Sequence, residues 1–434
     1  MTNEAPQRLG FIELAPGVSR RHALCYLFAA FVSIGLFAYL PAMTPFVLKV
    51  NLALPTGEQG VATGILQSWQ EISILVVIGL WGALSDRIGR RPVYVTGFLL
   101  IAGGYVLYPL AHSMPELVAY RLVFGCAVAA LGAMLATVLA DYPAETSRGK
   151  LTGVAFFLNA VGSVTFLVGL TQLPRWFASA GASELDAGRY AYFTVAGVTV
   201  LAAIVMLGLK PGLPSKASER KPLHLLVAEG LRAARNPRIL LAYGGGFTSR
   251  ADLSLITLFL ALWAAQSAVA EGLSASQAAG KVGMTIGVTQ GTAMLWAPVF
   301  GWLGDRMSRT AHFALAFALA LAGYCWVGMQ DDIVRPGAVP ALMLLGIGQV
   351  STVLAATILL GQETEPRSRG SVFGLQAFFG GLGILAISSL GGWLYDRVGP
   401  SAPFTLVGVA NGVIAVWALW LYLRARSEAR AQAA

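Results

Sequence analysis

The chain has 434 residues, of which 56% are hydrophobic and only 12% are charged, and its formal net charge is +9. Soluble globular domains carry about 25% charged residues, so a chain of this composition could not cover its apolar side chains with polar surface. The composition excludes a soluble enzyme. The positive charge does not indicate nucleic-acid binding either, because the basic residues fall in short clusters between apolar runs. These features predict a polytopic membrane protein.

Apolar runs that could cross a bilayer recur along the whole chain. A span needs about 20 apolar residues to cross the hydrocarbon core. The segment before the first run, through Arg20, does not look like a cleavable signal, so the first run is expected to anchor the protein. In chain order we predict twelve spans, at about 23–47, 60–84, 93–112, 116–141, 151–174, 188–209, 238–266, 282–304, 311–330, 338–361, 371–393 and 403–423.

The basic residues predict the orientation of these spans. If both termini are cytoplasmic, the cytoplasmic segments hold 22 of the 30 Lys and Arg residues, the outer segments hold 6 and the spans hold 2. This bias places both termini in the cytoplasm. Arg outnumbers Lys 24 to 6, which suggests a bacterium of high GC content and therefore a cytoplasmic (inner) membrane.

The longest polar stretch lies in the middle of the chain and divides it into two halves. We predict an N-terminal six-helix bundle over 1–209, a cytoplasmic linker over 210–237 and a C-terminal six-helix bundle over 238–434. Within the linker, Leu223, Leu226, Val227 and Leu231 recur at helical spacing and predict an amphipathic helix on the membrane surface.

Two pairs of short motifs indicate that the halves are repeats. Gly82–Arg91 follows the second span, and a similar stretch, Gly301–Arg309, follows the eighth span 219 residues later. The Arg-Gly pair at Arg148 recurs at Arg369, 221 residues later. Duplicated six-span halves are typical of secondary transporters, whose binding site lies near the bilayer midplane.

These motifs resemble those of the major facilitator superfamily. Gly82–Arg91 matches the pattern G-x-L-x-D-R-x-G-R-[RK] at every fixed position, Gly301–Arg309 supplies the weaker second copy, and Arg121 with Gly125 matches R-x-x-x-G in the fourth span. The resemblance implies an all-α fold of two six-helix bundles and transport by alternating access. It also implies that spans 3, 6, 9 and 12 form an outer scaffold, and the apolar cores of these spans contain no charged residue.

The physical chemistry of the first motif suggests a gate on the cytoplasmic side. Gly82 would let two helices approach closely, Gly89 would permit a tight turn, and Asp86 would cap a helix or pair with basic residues. The simpler interpretation is anchoring of the cytoplasmic face by positive charge, which requires neither the acid nor the glycines. The predicted gating residues are Gly82, Asp86, Arg87, Gly89, Arg90, Arg91, Asp305, Arg306 and Arg309.

Four charged residues lie well inside predicted spans. They are Glu71, Arg121, Arg250 and Asp252. A charge at the bilayer centre costs about 2.5–3.5 kcal/mol on insertion scales, so such residues suggest a substrate or ion pathway. Arg250 and Asp252 are two residues apart and do not face each other on a helix.

The predicted pathway also includes two glutamines. Gln290 precedes Gly301 by eleven residues, as Glu71 precedes Gly82, and Gln67 lies one turn before Glu71. These side chains would line a polar cavity. The alternative is that Glu71 and Arg121 form a buried structural pair.

The sequence therefore predicts a proton-coupled secondary transporter for a small organic solute, anionic or amphipathic. A drug/proton antiporter and a non-transporting receptor or lipid scramblase are the alternatives. The G-x-x-x-G-P-x-x-G-G stretch of drug antiporters is absent, since the corresponding segment, Asn159–Gly169, has no proline. An enzyme is disfavoured because the His and Cys residues form no cluster, and no cofactor or metal is expected. The expected partners are the solute, protons and the lipid bilayer, without nucleic acid, and the protein is expected to be a monomer.

Overall fold

The computed structural model describes residues 7–212, 223–365 and 368–433, and these residues are almost entirely helical. In the first half of the chain the helices are α1 Arg20–Val50, α2 Gln59–Ile88, α3 Arg90–Leu107, α4 Met114–Asp141, α5 Arg148–Leu170, α6 Leu173–Ser179 and α7 Glu184–Met206. In the second half they are α8 Leu223–Ala233, α9 Pro237–Leu255, α10 Ala261–Ala270, α11 Ala275–Gly304, α12 Arg309–Gly328, α13 Val339–Glu363, α14 Arg369–Arg397 and α15 Ala402–Ala433.

Eleven helical segments among the described residues are long and apolar enough to cross a membrane. Each corresponds to one of the twelve spans predicted from sequence. The remaining predicted span, the eighth, corresponds to α11, which has 30 residues but contains Lys281, Gln290 and many glycines and threonines. The predicted all-α polytopic fold is confirmed, and α11 differs from the other spans in polarity rather than in length.

The chain packs as two compact units. The first unit contains Met1–Pro55, Ile65–Ser218 and Glu271–Gly283, and the second contains Thr56–Gly64, Glu219–Ala270 and Met284–Ala434. The predicted bundles over 1–209 and 238–434 stay a prediction. The first turns of α2 pack with the second unit and the first turns of α11 pack with the first unit.

In the first unit, α1 packs closely on α5, and α3 packs on α4 and α7. Gly162 marks the closest approach of α1 and α5, because a Cβ atom there would lie 1.6 Å from the carbonyl oxygen of Phe31. The buried rings of Tyr39, Tyr105 and Tyr192 pack together, with centroids 5.5–6.2 Å apart.

In the second unit, α12 packs on α13 and α15, and α9 packs on α13, α14 and α15. The seventh predicted span is interrupted. After α9 comes a π-helical segment, Ile256–Leu260, and then α10. This segment begins four residues after Asp252. Such π-helical turns inside a helix often occur at functional sites.

A small hairpin that the sequence did not predict precedes α1. Strands β1 Arg8–Leu9 and β2 Ile12–Glu13 pair antiparallel around a turn with Gly10 at a φ of +57°. The backbone of Glu13 accepts from the N–H of Ala144 and donates to the Ser147 hydroxyl, so the hairpin is docked on the loop between α4 and α5. Two-residue strands are too short to produce a recognisable period in the sequence.

Helix α8 lies where the linker was predicted to contain an amphipathic helix, and Leu225, Val227 and Leu231 on it are exposed. Residues 213–222 of the predicted linker lie outside the described residues, as do Pro366 and Arg367 in the loop that carries the second Arg-Gly pair.

Candidate functional site

The first loop motif forms the junction between α2 and α3. Gly89 adopts a φ of +94°, a conformation that favours glycine, so the predicted tight turn is present. The close helix approach predicted at Gly82 is not present, because a Cβ atom at this position would meet no atom within 4 Å. Gly82 instead supplies a carbonyl oxygen, 2.8 Å from the donating hydroxyl of Ser85.

Arg90 organises the charges of this motif. Its Nη1 donates to Oδ1 of Asp86 at 2.6 Å and also to the Ser85 hydroxyl, while its Nε donates to Oδ2 of Asp141 at 3.1 Å. Arg90 therefore joins the end of α2, the start of α3 and the end of α4. Arg87 is exposed and Arg91 is half-buried.

The second motif contributes an equivalent ion pair in the second unit. Nη1 of Arg309, the first residue of α12, lies 3.8 Å from Oε1 of Glu363, the last residue of α13, as Arg90 at the start of α3 pairs with Asp141 at the end of α4. Arg238 also donates to Glu363, at 3.1 Å.

The other charged residues of this second motif are exposed. Asp305 lies on the surface, and the guanidinium of Arg306 stacks 3.8 Å from the ring centroid of Trp302. The sequence prediction named Arg309 without its acidic partner. The position of Glu363 at the end of the tenth span, matching Asp141 at the end of the fourth, was the signal that could have identified it.

Arg121 is the centre of a buried polar cluster in the first unit. Its Nη1 donates to Oε1 of Gln70 at 2.7 Å, its Nε donates to the Tyr108 hydroxyl at 3.3 Å, and its Nη2 donates to the Thr44 hydroxyl. The guanidinium carbon lies 5.3 Å from the centroid of the Tyr108 ring, which adds a cation–π contact. The side chain is fully buried.

Gly125 explains why this cluster can form. A Cβ atom at Gly125 would lie 2.7 Å from the backbone oxygen of Gln70, so the missing side chain lets α4 approach α2 closely. The R-x-x-x-G motif thus combines the guanidinium with the glycine that brings its partner within reach.

The predicted polar lining is divided between the two units. Gln67 and Glu71 are buried on the part of α2 that belongs to the first unit, whereas Gln290 is half-buried on the part of α11 that belongs to the second. The hydrogen bonds of Arg121 given above go to neutral side chains. The Glu71–Arg121 pair remains a prediction.

Asp252 is a fully buried carboxyl group in the second unit. Its Oδ2 accepts from the Thr352 hydroxyl on α13 at 3.1 Å, and its Oδ1 accepts from Nδ2 of Asn411 on α15 at 2.9 Å. None of the described basic side chains forms an ion pair with it. The structure therefore surrounds this acid with neutral donors alone.

Oδ1 of Asn411 and the hydroxyl of Tyr324 are among the polar atoms of this unit that are buried without a hydrogen-bond partner in the described residues. Neither Thr352 nor Asn411 was identified from sequence. Asn411 is the only asparagine in the twelfth predicted span, and this isolated amide in an apolar run was the available signal.

Arg250 lies in different surroundings from Asp252, as the two-residue spacing predicted. It is exposed, and its stem passes Gly380 on α14, where a Cβ atom would lie 2.6 Å from Cγ of Arg250. Within the described part of the chain, its guanidinium has no hydrogen bond or ion pair.

A third copy of the loop motif was missed from sequence. Gly392–Gly399 reads G-W-L-Y-D-R-V-G at the end of α14. In the second unit, the carboxylate of Asp396 accepts from the backbone N–H groups of Gly60 at 2.8 Å and Val61 at 2.7 Å, at the start of α2. This carboxylate stabilises the positive end of a helix dipole.

The first unit contains a comparable contact at the start of α11. Both carboxylate oxygens of Glu184 accept from Ser276, one from its backbone N–H and one from its hydroxyl, each at 2.9 Å. A Cβ atom at Gly283 would lie 1.8 Å from the Thr171 hydroxyl oxygen, so α11 packs tightly here. Each helix that is shared by the two units thus begins at an acidic side chain.

Among the described residues there is no group of three or more His, Cys, Asp or Glu side chains that could hold a metal ion.

Comparison with known proteins identifies the family. The family model described as Major Facilitator Superfamily matches residues 23–384 and 263–434, which together cover nearly the whole chain. The chain belongs to the major facilitator superfamily. It is therefore a multi-pass membrane protein of a transporter family.

Individual relatives are distant. Magnetosome protein MamH of Paramagnetospirillum magneticum is 28% identical over 413 residues, covering 93% of each chain. Multidrug resistance protein MdtH of Klebsiella pneumoniae is 25% identical over 380 residues, covering 83% of this chain and 84% of MdtH. A variant of the nucleoside transporter NupG has a solved structure that matches with a TM-score of 0.75 at 13% identity, covering 92% of this chain and 99% of NupG. At this identity the structural match shows the fold alone.

Proposed function

We propose that this transporter couples the movement of a small organic anion to protons, with Asp252 as the proton carrier and Arg250 as the anion-binding residue. The observation that carries the proposal is the environment of Asp252. It is a fully buried carboxyl group whose hydrogen-bond donors, Thr352 and Asn411, are both neutral.

The energetics of this environment suit a group that gains and loses a proton. A carboxylate in the bilayer centre is unfavourable by about 2.5–3.5 kcal/mol on insertion scales. A hydrogen bond to a charged group contributes about 1.5–3 kcal/mol, so the Asn411 amide offsets a large part of that penalty. The Thr352 hydroxyl offsets less, because its single proton is shared between Asp252, at 3.1 Å, and the carbonyl oxygen of Gln349, at 2.9 Å. Burial disfavours the charged form of Asp252 and the neutral donors favour it, so neither form is fixed by an ion pair, whereas a permanent cationic partner would keep the group ionised.

Arg250 is the better of the two intramembrane arginines for binding a solute. It is exposed and has no partner among the described residues, so its planar guanidinium is available for a carboxylate or phosphate group. Arg121 is fully buried, and its donors are already directed at Gln70, Tyr108 and Thr44. We assign Arg121 to the stability of the first unit.

The charged motif residues are proposed to act as a gate on the predicted cytoplasmic side. Arg90 binds Asp86 and Asp141, and Arg309 approaches Glu363, so each unit has an ion-pair cluster at corresponding helix ends. Each pair joins a largely buried side chain, Arg90 or Glu363, to a more exposed partner. Ion pairs that solvent can reach contribute about 0–1 kcal/mol each, which allows them to form and break during a transport cycle. Anchoring by positive charge alone remains the alternative.

Drug/proton antiport is a second candidate, supported by the similarity to MdtH proteins, which are named for multidrug resistance. The proline-containing motif of drug antiporters is absent from α5. The close packing of α5 on α1 is instead achieved by Gly162, which contacts the backbone of Phe31. The two candidates differ in the charge of the solute, and this difference can be tested.

A thermal-shift screen of the purified protein separates the candidates. The panel contains organic carboxylates, organic phosphates and cationic amphipathic dyes, and each compound is tested on wild type, Arg250→Ala and Arg250→Lys. The proposal expects an anion to stabilise wild type, with the effect lost in Arg250→Ala and weakened in Arg250→Lys, which keeps the charge without the planar fork. Stabilisation by cationic dyes that does not depend on Arg250 would favour drug antiport.

The compound identified in this way is then tested for uptake into proteoliposomes. When a proton gradient is imposed, we expect the compound to accumulate against its own concentration gradient. When a protonophore collapses the proton gradient, we expect the compound only to equilibrate across the membrane. Accumulation that is unaffected by the protonophore but requires sodium would overturn proton coupling.

A further inference from the structure

A cavity of about 480 Å³ lies in the second unit, at the ends of α9, α12 and α15 that the sequence predicts to be cytoplasmic. Three arginines line it: Arg238 at the start of α9, Arg309 at the start of α12, and Arg426 near the end of α15. None of these residues belongs to the buried acid site around Asp252. Arg238 and Arg309 also contact Glu363 in the ion-pair cluster of the proposed gate, but that cluster does not include Arg426 or account for the cavity.

The cavity carries an excess of positive charge. Glu363 pairs with both Arg238, at 3.1 Å, and Arg309, at 3.8 Å, so one acid offsets one of three positive charges. Arg426 has neither a hydrogen bond nor an ion pair within the described ranges. Two positive charges therefore remain for an anionic ligand.

Uncharged donors complete the lining of the cavity. Thr310, which lines the cavity, is only 7% exposed, and its hydroxyl has no partner among the residues described. Ser308 immediately precedes α12 and also lines the cavity, and its side chain does not cap the helix. Free hydroxyl and N–H groups at a helix start, next to guanidinium groups, are suited to a phosphate.

The surface next to Arg426 indicates that this phosphate belongs to a lipid. Leu419, Leu423 and Arg426 are spaced i, i+4, i+7 and share one face of α15, and the two leucines are 48% and 53% exposed. Along this face, the apolar side chains of Leu419 and Leu423 lie directly before Arg426. A molecule with a phosphate group and acyl chains matches this order, whereas a soluble phosphate would use only the arginine end.

We propose that this cavity binds the headgroup of an anionic phospholipid, with Arg238, Arg309 and Arg426 on the phosphate and Leu419 and Leu423 along an acyl chain. Basic pockets between membrane helices on the cytoplasmic side are suited to such headgroups. The site is separate from the proposed solute site and does not depend on the identity of the transported compound.

Native mass spectrometry of the full-length protein in detergent tests the site directly. Phosphatidylglycerol, cardiolipin and phosphatidylcholine are titrated onto wild type, Arg426→Ala and the matched control Arg424→Ala. Arg424 lies two residues away on a different face of α15 and pairs with Glu428 at 2.9 Å. We expect the two anionic lipids to bind more tightly than phosphatidylcholine. Removing Arg426 should weaken anionic lipid binding about fivefold, and removing Arg424 should not change it.

Two outcomes would overturn the proposal. Equal loss from Arg426→Ala and Arg424→Ala would mean that the lipid responds to general surface charge. Displacement of the lipid by inorganic pyrophosphate, with the same dependence on Arg426, would mean that the cavity takes a soluble anion. If Arg426→Ala does not fold, Thr310→Val serves as the second variant, because it removes the unpartnered hydroxyl and retains all three arginines.

Discussion

Arg250 and Asp252 lie two residues apart on α9, yet one is exposed and the other is fully buried. This contrast follows from helix geometry, which turns the two side chains to different neighbours. It divides two tasks between them: a partnerless guanidinium can bind an anion, while a carboxyl group held by neutral donors can carry a proton.

The amide of Asn411 is the partner through which this carboxyl group can be tested at the residue scale. Asn411→Leu removes the donor to Oδ1 of Asp252 and makes the charged form less accessible. If the charged form of Asp252 loses about 1.5 kcal/mol of stabilisation, proton-driven accumulation should slow about tenfold. Uptake into proteoliposomes measures this, and Thr405→Val on the same helix should transport like wild type. Normal accumulation by a folded Asn411→Leu protein would exclude a role for the amide.

Asp252 and Arg250 could be identified from the sequence, but their surroundings could not. A charged residue in an apolar run is conspicuous because its transfer into lipid is unfavourable. The pairing of Asp252 with Thr352 and Asn411 cannot be seen in the sequence, because these residues come from distant spans that are brought together only by tertiary packing. At Gly82 the sequence motif predicted close packing of two helices, but in the structure a Cβ atom at this position would meet no atom within 4 Å.

At the scale of helices, close packing in the first unit depends on glycines at particular positions. Gly162→Ala places a Cβ atom against the carbonyl oxygen of Phe31, and the helices α1 and α5 must separate to admit it. Overpacking of this kind lowers the free energy of unfolding by about 1–3 kcal/mol. Gly169→Ala, on the same helix with nothing within 4 Å, is the matched control. Thermal unfolding should show destabilisation of the first variant only, and equal stability of the two would contradict the packing.

The N-terminal hairpin depends on a titratable group outside the spans. The hydrogen bond from Thr146, with the nearby charge of Arg8, lowers the pKa of Glu13 below its ordinary value of 4.5. The pKa is depressed in the docked state, so docking is favoured at neutral pH and weakens as the pH falls through that depressed value. At neutral pH, Glu13→Gln imitates protonation and should speed amide exchange at Leu14, whereas Glu145→Gln should not. Unchanged exchange at Leu14 would show that the backbone contacts alone hold the hairpin.

The ion pairs at the helix ends make a separate prediction for the gate. Asp86→Asn removes the carboxylate that accepts from Arg90 at 2.6 Å, leaving Arg90 with Asp141. Transport should fall while insertion and folding remain intact. Arg91→Lys keeps the positive charge of the loop and should be milder. Equal effects of the two changes on uptake would support anchoring by charge rather than gating.

At the scale of the whole molecule, the repeat is clearer in the structure than in the sequence. The predicted twelve spans and the superfamily followed from hydropathy and one strong motif. Only the folded structure shows that Arg90 pairs with Asp141 and that Arg309 pairs with Glu363. It also shows the acidic side chains at the starts of α2 and α11. Neither the sequence nor the structure identifies the substrate, because MamH and MdtH, which match most of the chain, are only 28% and 25% identical to it.

Proteoliposome transport by Asp252→Asn, with Glu71→Gln as the matched control, measures whether Asp252 carries the coupling proton. The substrate is the anion found by the thermal-shift screen. We expect Asp252→Asn to lose accumulation driven by a proton gradient but to retain exchange of labelled for unlabelled substrate. We expect Glu71→Gln to retain both activities. Proton-driven accumulation that survives in Asp252→Asn would show that Asp252 does not carry the coupling proton.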